Sequence, residues 1–272
     1  MNALPEVTWL LHHFDDLIVG LIHYGSTAFG RPRTGSMRDF WVIVRDLRAF
    51  HRRFAPPHDP GGRCASAAER VQLNRDWPCF FAVEEESLRL KVAVISEEAF
   101  CRLCQAGTFY VKGRMQKPIR VLRATEAVRR AIADARQDGV QWALDLLPPR
   151  FTVEEFLLVL LGLSYRTEIR PELTGRKVRS ILESGRKELD RIYRPLLERH
   201  PGVAKSDGRY LDRRPPGVRR RARRRALREL RRMKWSREAL RHVYRNHLTH
   251  PRPVRYVLRK IVGEAEKLWR RS

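Results

Sequence analysis

The residues best suited to chemistry lie near the N-terminus, in HYGSTAFGRPRTGSMRDFWVIV, His23 to Val44. Gly25 lets the backbone approach a phosphate closely. The Ser26 hydroxyl can donate to that phosphate, and the amides of a following helix N-terminus would face it. Asp39 opens the next apolar stretch, where its carboxylate can hold Mg²⁺ against the same phosphates. Trp41 stands two residues on, on the same strand face, where a second carboxylate would complete a two-acid metal site. An ordinary Gly-Ser turn and a strand-opening Asp account for the same residues without chemistry.

The elements that must hold these residues can be read from periodicity. Val7, Leu10, Leu11 and Phe14 recur at helical spacing and predict a short amphipathic helix. LIVGLIHY (Leu17 to Tyr24) predicts a buried strand running into Gly25-Ser26, and DFWVIV (Asp39 to Val44) a second. LRLKVAVIS (Leu88 to Ser96) predicts a third, and FYVKGRMQKPIRVL (Phe109 to Leu122) a bent or two-part strand around Gly113. Pro56-Pro57, Pro60 and Gly61-Gly62 mark Ala55 to Asp76 as mostly loop. From Glu126 the pattern turns helical. Thr152 and Glu155 form a capping-box start after Pro148-Pro149, and helices are expected near 176–199, 236–247 and 254–269. Pro215-Pro216-Gly217 marks a linker or turn. The fold expectation is α+β, with a mixed N-terminal half and a mainly helical second half.

Composition sets the boundaries of function. A chain of 272 residues with 43% hydrophobic residues is globular and long enough for about two domains. Its longest apolar run, FLLVLLGL, is far short of the ~20 residues of a membrane span. The N-terminus carries Glu6, Asp15 and Asp16 and no Lys or Arg before Arg31, the wrong charge for a secretory or mitochondrial leader. These features predict a soluble, cytoplasmic protein. The net charge of +25 attracts polyanions, whether nucleic acid, anionic lipid or polyphosphorylated substrates. Cys101-Arg-Leu-Cys104 has zinc or redox spacing, but no second pair completes a metal set; buried, reduced thiols are the expectation.

Taken in order, HYGSTAF, DFWVIV, LKVAVIS, YVKGRMQKPIRVL and FTVEEFLLVLLGLSYRTEIR resemble the mitochondrial-type CDP-diacylglycerol synthases, the translocator assembly and maintenance family. The resemblance spans most of residues 20 to 200, and Gly113 to Pro118 is its most specific part. It implies a polymerase-β-like nucleotidyltransferase domain (1–147) and a mainly helical, winged-helix-like domain (148–212); the chain departs from the family in its arginine-rich end, where residues 213–272 read as a basic amphipathic C-terminal helical region. It implies phosphatidate cytidylyltransferase activity, in which CTP, Mg²⁺ and phosphatidic acid give CDP-diacylglycerol and pyrophosphate. Tyr24, Gly25, Ser26 and Lys91 would then bind the nucleotide, with Ser26 and Asp39 catalytic and Asp39 the metal ligand. Arg114, Gln116, Lys117, Tyr165 and Arg166 would bind substrate phosphate. For Lys91, a strand lysine extending its charge to solvent is an equal reading, and Tyr165 could equally be core.

The missing carboxylate then has a chemical reading. Phosphatidic acid brings a phosphate monoester whose second pKa is about 6–7, near that of phosphoserine. Its oxygen is already anionic near neutral pH and needs no base, so positive charge matters more than a second acid.

The arginine-rich stretch Arg219 to Arg232, with Ala222, Ala226, Leu227 and Leu230, reads as a basic helix with a narrow apolar face. The stripe from Val254 to Trp269 reads as interfacial or as packed on its own domain. The expected partners are CTP, phosphatidic acid and an anionic membrane surface, with no nucleic acid. The expected location is cytoplasmic and peripheral on the inner face of the cell membrane. Two alternatives are a nucleotidyltransferase acting on nucleic acid or a small alcohol, and a non-catalytic basic winged-helix protein that binds nucleic acid.

Overall fold

A computed structural model describes residues 4–29, 36–54, 77–85, 88–105, 109–167 and 174–234. The expected loop over most of 55–76 and the helices expected near 236–247 and 254–269 lie outside the described residues. The fold is α+β, and the chain divides into two compact units. One comprises residues 1–105 and 118–134, the other residues 106–117 and 135–272.

In the first unit, α1 (Pro5–Phe14) leads into β1 (Ile18–Tyr24), a single turn α2 (Ser26–Phe29), β2 (Arg38–Val44) and α3 (Leu47–Arg53). Two further strands, β3 (Cys79–Glu85) and β4 (Leu88–Ser96), precede α4 (Glu97–Gln105), and β5 (Arg120–Ala124) completes a five-stranded sheet. Its order is β3-β4-β2-β1-β5, with β2 and β4 parallel and every other pair antiparallel.

Alternation along the strands decides what each face meets. Phe40, Val42 and Val44 of β2, with Leu90, Val92 and Val94 of β4, pack against Leu10 and Phe14 of α1 and Phe50 of α3. The opposite face carries Asp39, Trp41 and Ile43, paired in register with Lys91, Ala93 and Ile95. Trp41, Ile43, Ala93 and Ile95 are fully buried there, and Phe100 of α4 meets the Trp41 ring edge-on at 6.1 Å. On this face Tyr24 and Asp39 surface at the ends of β1 and β2, and Lys91 surfaces beside Asp39 on β4.

The second unit contains α5 (Phe109–Met115), the later part of α6 (Glu126–Leu146), β6 (Arg150–Phe151), α7 (Val153–Thr167) and α8 (Thr174–Glu198). The hairpin β7 (Val203–Ser206) and β8 (Arg209–Asp212) and the helix α9 (Pro216–Lys234) follow. The three short strands form a second sheet, β6-β8-β7. Phe156, Leu157, Leu160, Tyr193 and Leu230 belong to one apolar core. The capping box is formed as the sequence suggests: Thr152 N–H donates to Glu155 Oε2 at 2.7 Å, and Glu155 N–H donates to Thr152 Oγ1 at 3.1 Å. Arg214 ties β8 to α6, bonding Asp212 at 2.8 Å and Asp145 at 2.5 Å.

Two expectations are corrected. Phe109 to Leu122 is not a bent strand: its first half is the helix α5, and only Arg120–Ala124 is strand. The aromatic and β-branched run Phe-Tyr-Val suggests a strand, but α5 packs on α7, and that tertiary contact overrides propensity. Pro215-Pro216-Gly217 is likewise not a linker. Pro216 opens α9, where its fixed φ is already helical and its missing N–H costs nothing.

Candidate active site

The end of β1 and the start of β2 meet across one ladder step, where Tyr24 pairs with Asp39. Gly25 follows at φ +84°, and a Cβ added to it would stand 2.6 Å from Asp39 Oδ2. Glycine therefore suits the left-handed backbone here, and a methyl in its place would also push on the Asp39 carboxylate that lies against it. Tyr24 and Trp41 stand on Asp39's face with ring centroids 6.0 Å apart, so a fully buried tryptophan underlies the half-exposed Asp39. Lys91 is exposed and opposite Asp39 in the parallel ladder. Ser26 begins α2.

His23, a residue the motif reading passed over, supports the turn from the other face. Its Nε2 shares a 3.0 Å hydrogen bond with Thr27 Oγ1, bridging beneath Tyr24-Gly25-Ser26. The imidazole is 1% exposed and stacks on Phe40 at 4.9 Å. Burial, with the Arg38 and Arg120 charges in the same direction, brings its pKa down to about 4, so the ring is neutral. Arg38 is held by Glu6 at 3.0 Å, and Arg120 lies 5.2 Å from the Phe29 ring centroid. The sequence signal was available: a His and a Thr four apart, on either side of Gly-Ser.

The second unit holds the other expected site residues, and their environments differ. The Lys117 ammonium lies 4.4 Å from the Tyr165 ring centroid, with Nζ 3.5 Å from the phenol oxygen, and the Arg114 guanidinium covers Tyr110 at 4.7 Å. Both cations are partly exposed, whereas Tyr165 is buried. Arg166 follows on α7. Gln116, expected at a substrate phosphate, is 1% exposed. Its amide Nε2 donates to Ala135 O at 3.4 Å, and its backbone carbonyl accepts from Tyr193 Oη at 2.8 Å. A Cβ on Gly139 would lie 2.3 Å from Gln116 Nε2, so α6 comes close enough to leave that amide no route outward. Lys112, in the same run, is 4% exposed and bonded to Asp138 at 2.6 Å. Burial pushes the Tyr193 phenol well above its ordinary range.

Among the described residues no group of three His, Cys, Asp or Glu side chains could cage a metal. Asp39 beside the open Gly25 backbone does fit Mg²⁺, which typically takes one or two carboxylates and completes its shell with water and substrate phosphates. The first unit thus presents one carboxylate, a close-approach backbone turn and a lysine on a single face. Such a set suits phosphate handling.

Comparison with known proteins identifies the lineage. A family profile described as "Phosphatidate cytidylyltransferase, mitochondrial" matches residues 7–265, and the chain belongs to that family. Relatives bearing the same name include those of Caenorhabditis briggsae, 28% identical over 64% of this chain and 59% of the relative, and Drosophila melanogaster, 26% identical over 64% and 56%. The Danio rerio relative is 31% identical over 44% of this chain and 37% of its own length. The chain thus spans less than two thirds of the length of these curated relatives. Their names correct one expectation. A cytoplasmic protein at the inner face of the cell membrane was inferred from N-terminal charge, and all of these relatives are mitochondrial proteins. Among the described residues no helix is long and apolar enough to cross a membrane.

Proposed function

We propose that this chain catalyses cytidylyl transfer from CTP to phosphatidic acid, giving CDP-diacylglycerol and pyrophosphate. The observation that carries the reading is Asp39's carboxylate lying against Gly25 at the ends of β1 and β2, in a member of this family. An oxygen of the lipid phosphate attacks the α-phosphorus of CTP, the α–β bridging bond breaks, and pyrophosphate leaves. With a second ionisation at about pH 6, as in phosphoserine, the nucleophile is already an anion, and no side chain need take its proton. That accounts for a buried Trp41 where a second acid would otherwise stand.

In this reading the Gly25 backbone and Ser26 receive the triphosphate, Tyr24 borders it, and Lys91 contributes positive charge from β4. Asp39 would hold Mg²⁺, which supplies charge neutralisation and Lewis acidity at the phosphoryl oxygens. Arg114 and Lys117 are the cations suited to the lipid phosphate, with Tyr165 beneath Lys117, Arg166 next to it and Gln116 bracing the segment from within. The sheet with its Gly-Ser turn supports a polymerase-β-like first domain. The succession β6, α7, α8 and the β7–β8 hairpin supports a winged-helix-like second. The functional division into 1–147, 148–212 and 213–272 belongs to the same reading.

The test supplies the protein with each α-labelled nucleoside triphosphate, Mg²⁺ and phosphatidic acid. Label should enter the lipid phase from CTP alone, with pyrophosphate released in equal amount. Label in a polynucleotide or a water-soluble alcohol, or in no product, contradicts the proposal.

A further inference from the structure

Glycine inside a helix is disfavoured, because it loses more backbone freedom than alanine and brings no side chain to pack. The helix α5 nevertheless carries Gly113 two residues before its end, where it packs on α7. A Cβ added to Gly113 would stand 2.4 Å from the Cβ of Ser164 and 3.3 Å from its Cα. Neither atom can swing aside. An alanine would therefore force the two helices apart, towards the ~3.5–4 Å of ordinary contact between carbons. Two other helix glycines differ. At Gly139 the atom met at 2.3 Å is the amide nitrogen of Gln116, the tip of a side chain, and at Gly162 nothing lies within 4 Å.

The residues that follow this contact on each chain segment are the ones that meet. Tyr165 is next to Ser164 on α7, and Lys117 lies one turn beyond Gly113. Lys117 stays joined to α5 through its N–H, which donates to Arg114 O at 3.2 Å, and Gln116 N–H donates to Lys112 O at 3.2 Å. The same segment is tied elsewhere: Met115 O accepts from Arg136 Nε at 3.1 Å, and Gln116 O from Tyr193 Oη at 2.8 Å. We infer that Gly113 and Ser164 are positioning residues, whose close approach places the Lys117 ammonium on the Tyr165 ring for capture of a phosphate monoester. This role presupposes Lys117 as a lipid-phosphate cation, the reading proposed above, and supplies the residues that set its place. The ammonium lies 4.4 Å from the ring centroid, where the ring quadrupole attracts it. A lysine so held has less side-chain freedom to lose when a phosphate arrives.

The test is steady-state kinetics of the whole chain with CTP and dihexanoyl phosphatidic acid, a short-chain, water-soluble substrate. Gly113→Ala should raise the KM for the lipid about fivefold, with kcat and the KM for CTP changed less than about twofold, as when a ground-state contact is loosened. Adding Ser164→Gly removes the atom that the methyl meets, and should bring the KM back to within about twofold of wild type. Gly162→Ala, the control in α7, should leave it unchanged. In a Lys117→Ala chain, Gly113→Ala should add nothing, because the cation it positions is gone. Absence of turnover in the wild-type chain would defeat the proposed function and this inference with it. Normal turnover with a wild-type KM in Gly113→Ala would overturn the inference alone. So would a further rise in KM when Gly113→Ala is added to Lys117→Ala. Misfolding of Gly113→Ala, whether or not Ser164→Gly repairs it, would reduce the contact to packing and contradict the inference as well.

Discussion

Tyr24–Trp41 and Lys112–Pro118 are the two most motif-like stretches of the chain, and they handle their polar residues in opposite ways. At the first, the strand ends lift Tyr24 and Asp39 out of a sealed sheet face, and the apolar residue beneath them, Trp41, is fully buried. At the second, Lys112 and Gln116 turn inward, to Asp138 and Ala135, and only Arg114 and Lys117 keep partial exposure. A donor-rich run is thus two things at once, a brace between helices and a pair of outward cations. The glycine in each also differs in purpose. Gly25 supplies a φ of +84° beside a carboxylate, whereas Gly113 lies within a regular helix.

The sharpest way to break this contrast is Gly25→Ala. The methyl would meet Asp39 Oδ2 at 2.6 Å and strain the backbone, so kcat/KM should fall by about a hundredfold or more, roughly 2.7 kcal/mol. Steady-state kinetics with an unchanged circular dichroism spectrum would check it.

Replacing Arg114 and Lys117 together by Ala should raise the KM for phosphatidic acid on the order of tenfold, with a smaller change in kcat, because ground-state phosphate contacts are lost. Wild-type kinetics in that variant would reduce the whole run to a brace.

Gln116→Ala should do the reverse. The lost contact to Ala135 and the space left beside Gly139 should lower unfolding free energy by about 1–3 kcal/mol, read from chemical denaturation, with kcat/KM for CTP nearly unchanged.

The smallest effect concerns His23. Its folded pKa of about 4 lies below the unfolded value of 6.5, so the unfolded chain binds the extra proton between those values. Stability should therefore decline as pH falls from 6.5 towards 4. Thermal melts of His23→Asn should show a shallower decline over that window. Thr27→Val should raise the KM for CTP a few-fold and Thr27→Ser should not, since the serine hydroxyl can still reach the imidazole.

Periodicity made α1 and the capped start of α7 legible, whereas β1, β2 and β4 were legible as short apolar, β-branched runs because they are buried on both faces along most of their length. It did not reveal α5, whose Phe109-Tyr110-Val111 run is buried on every side and so has no amphipathic signature. The hairpin β7–β8 was readable but unread. Asp207 and Gly208 both have positive φ, the Asp-Gly signal of a tight hairpin turn. Gly25 and Asp39 were visible as types and spacing, whereas their contact depends on the β1–β2 register, which local sequence does not encode. The burial of Gln116 was hidden for the same reason, since Ala135, Gly139 and Tyr193 enclose it from distant positions. The N-terminal charge misled about location, because it reports on a short segment of the chain and not on where the whole protein works.

The account depends most on Asp39 as the single motif carboxylate that serves cytidylyl transfer. Transfer of α-labelled CMP from CTP to phosphatidic acid, followed in parallel for the wild-type chain and Asp39→Asn at saturating Mg²⁺, tests this directly. Asn keeps the size of the side chain and removes the charge that would hold the ion. The account predicts at least a thousandfold loss of transfer, about 4 kcal/mol, with an unchanged melting temperature. Transfer retained within tenfold of wild type would place the metal ligand elsewhere and contradict it.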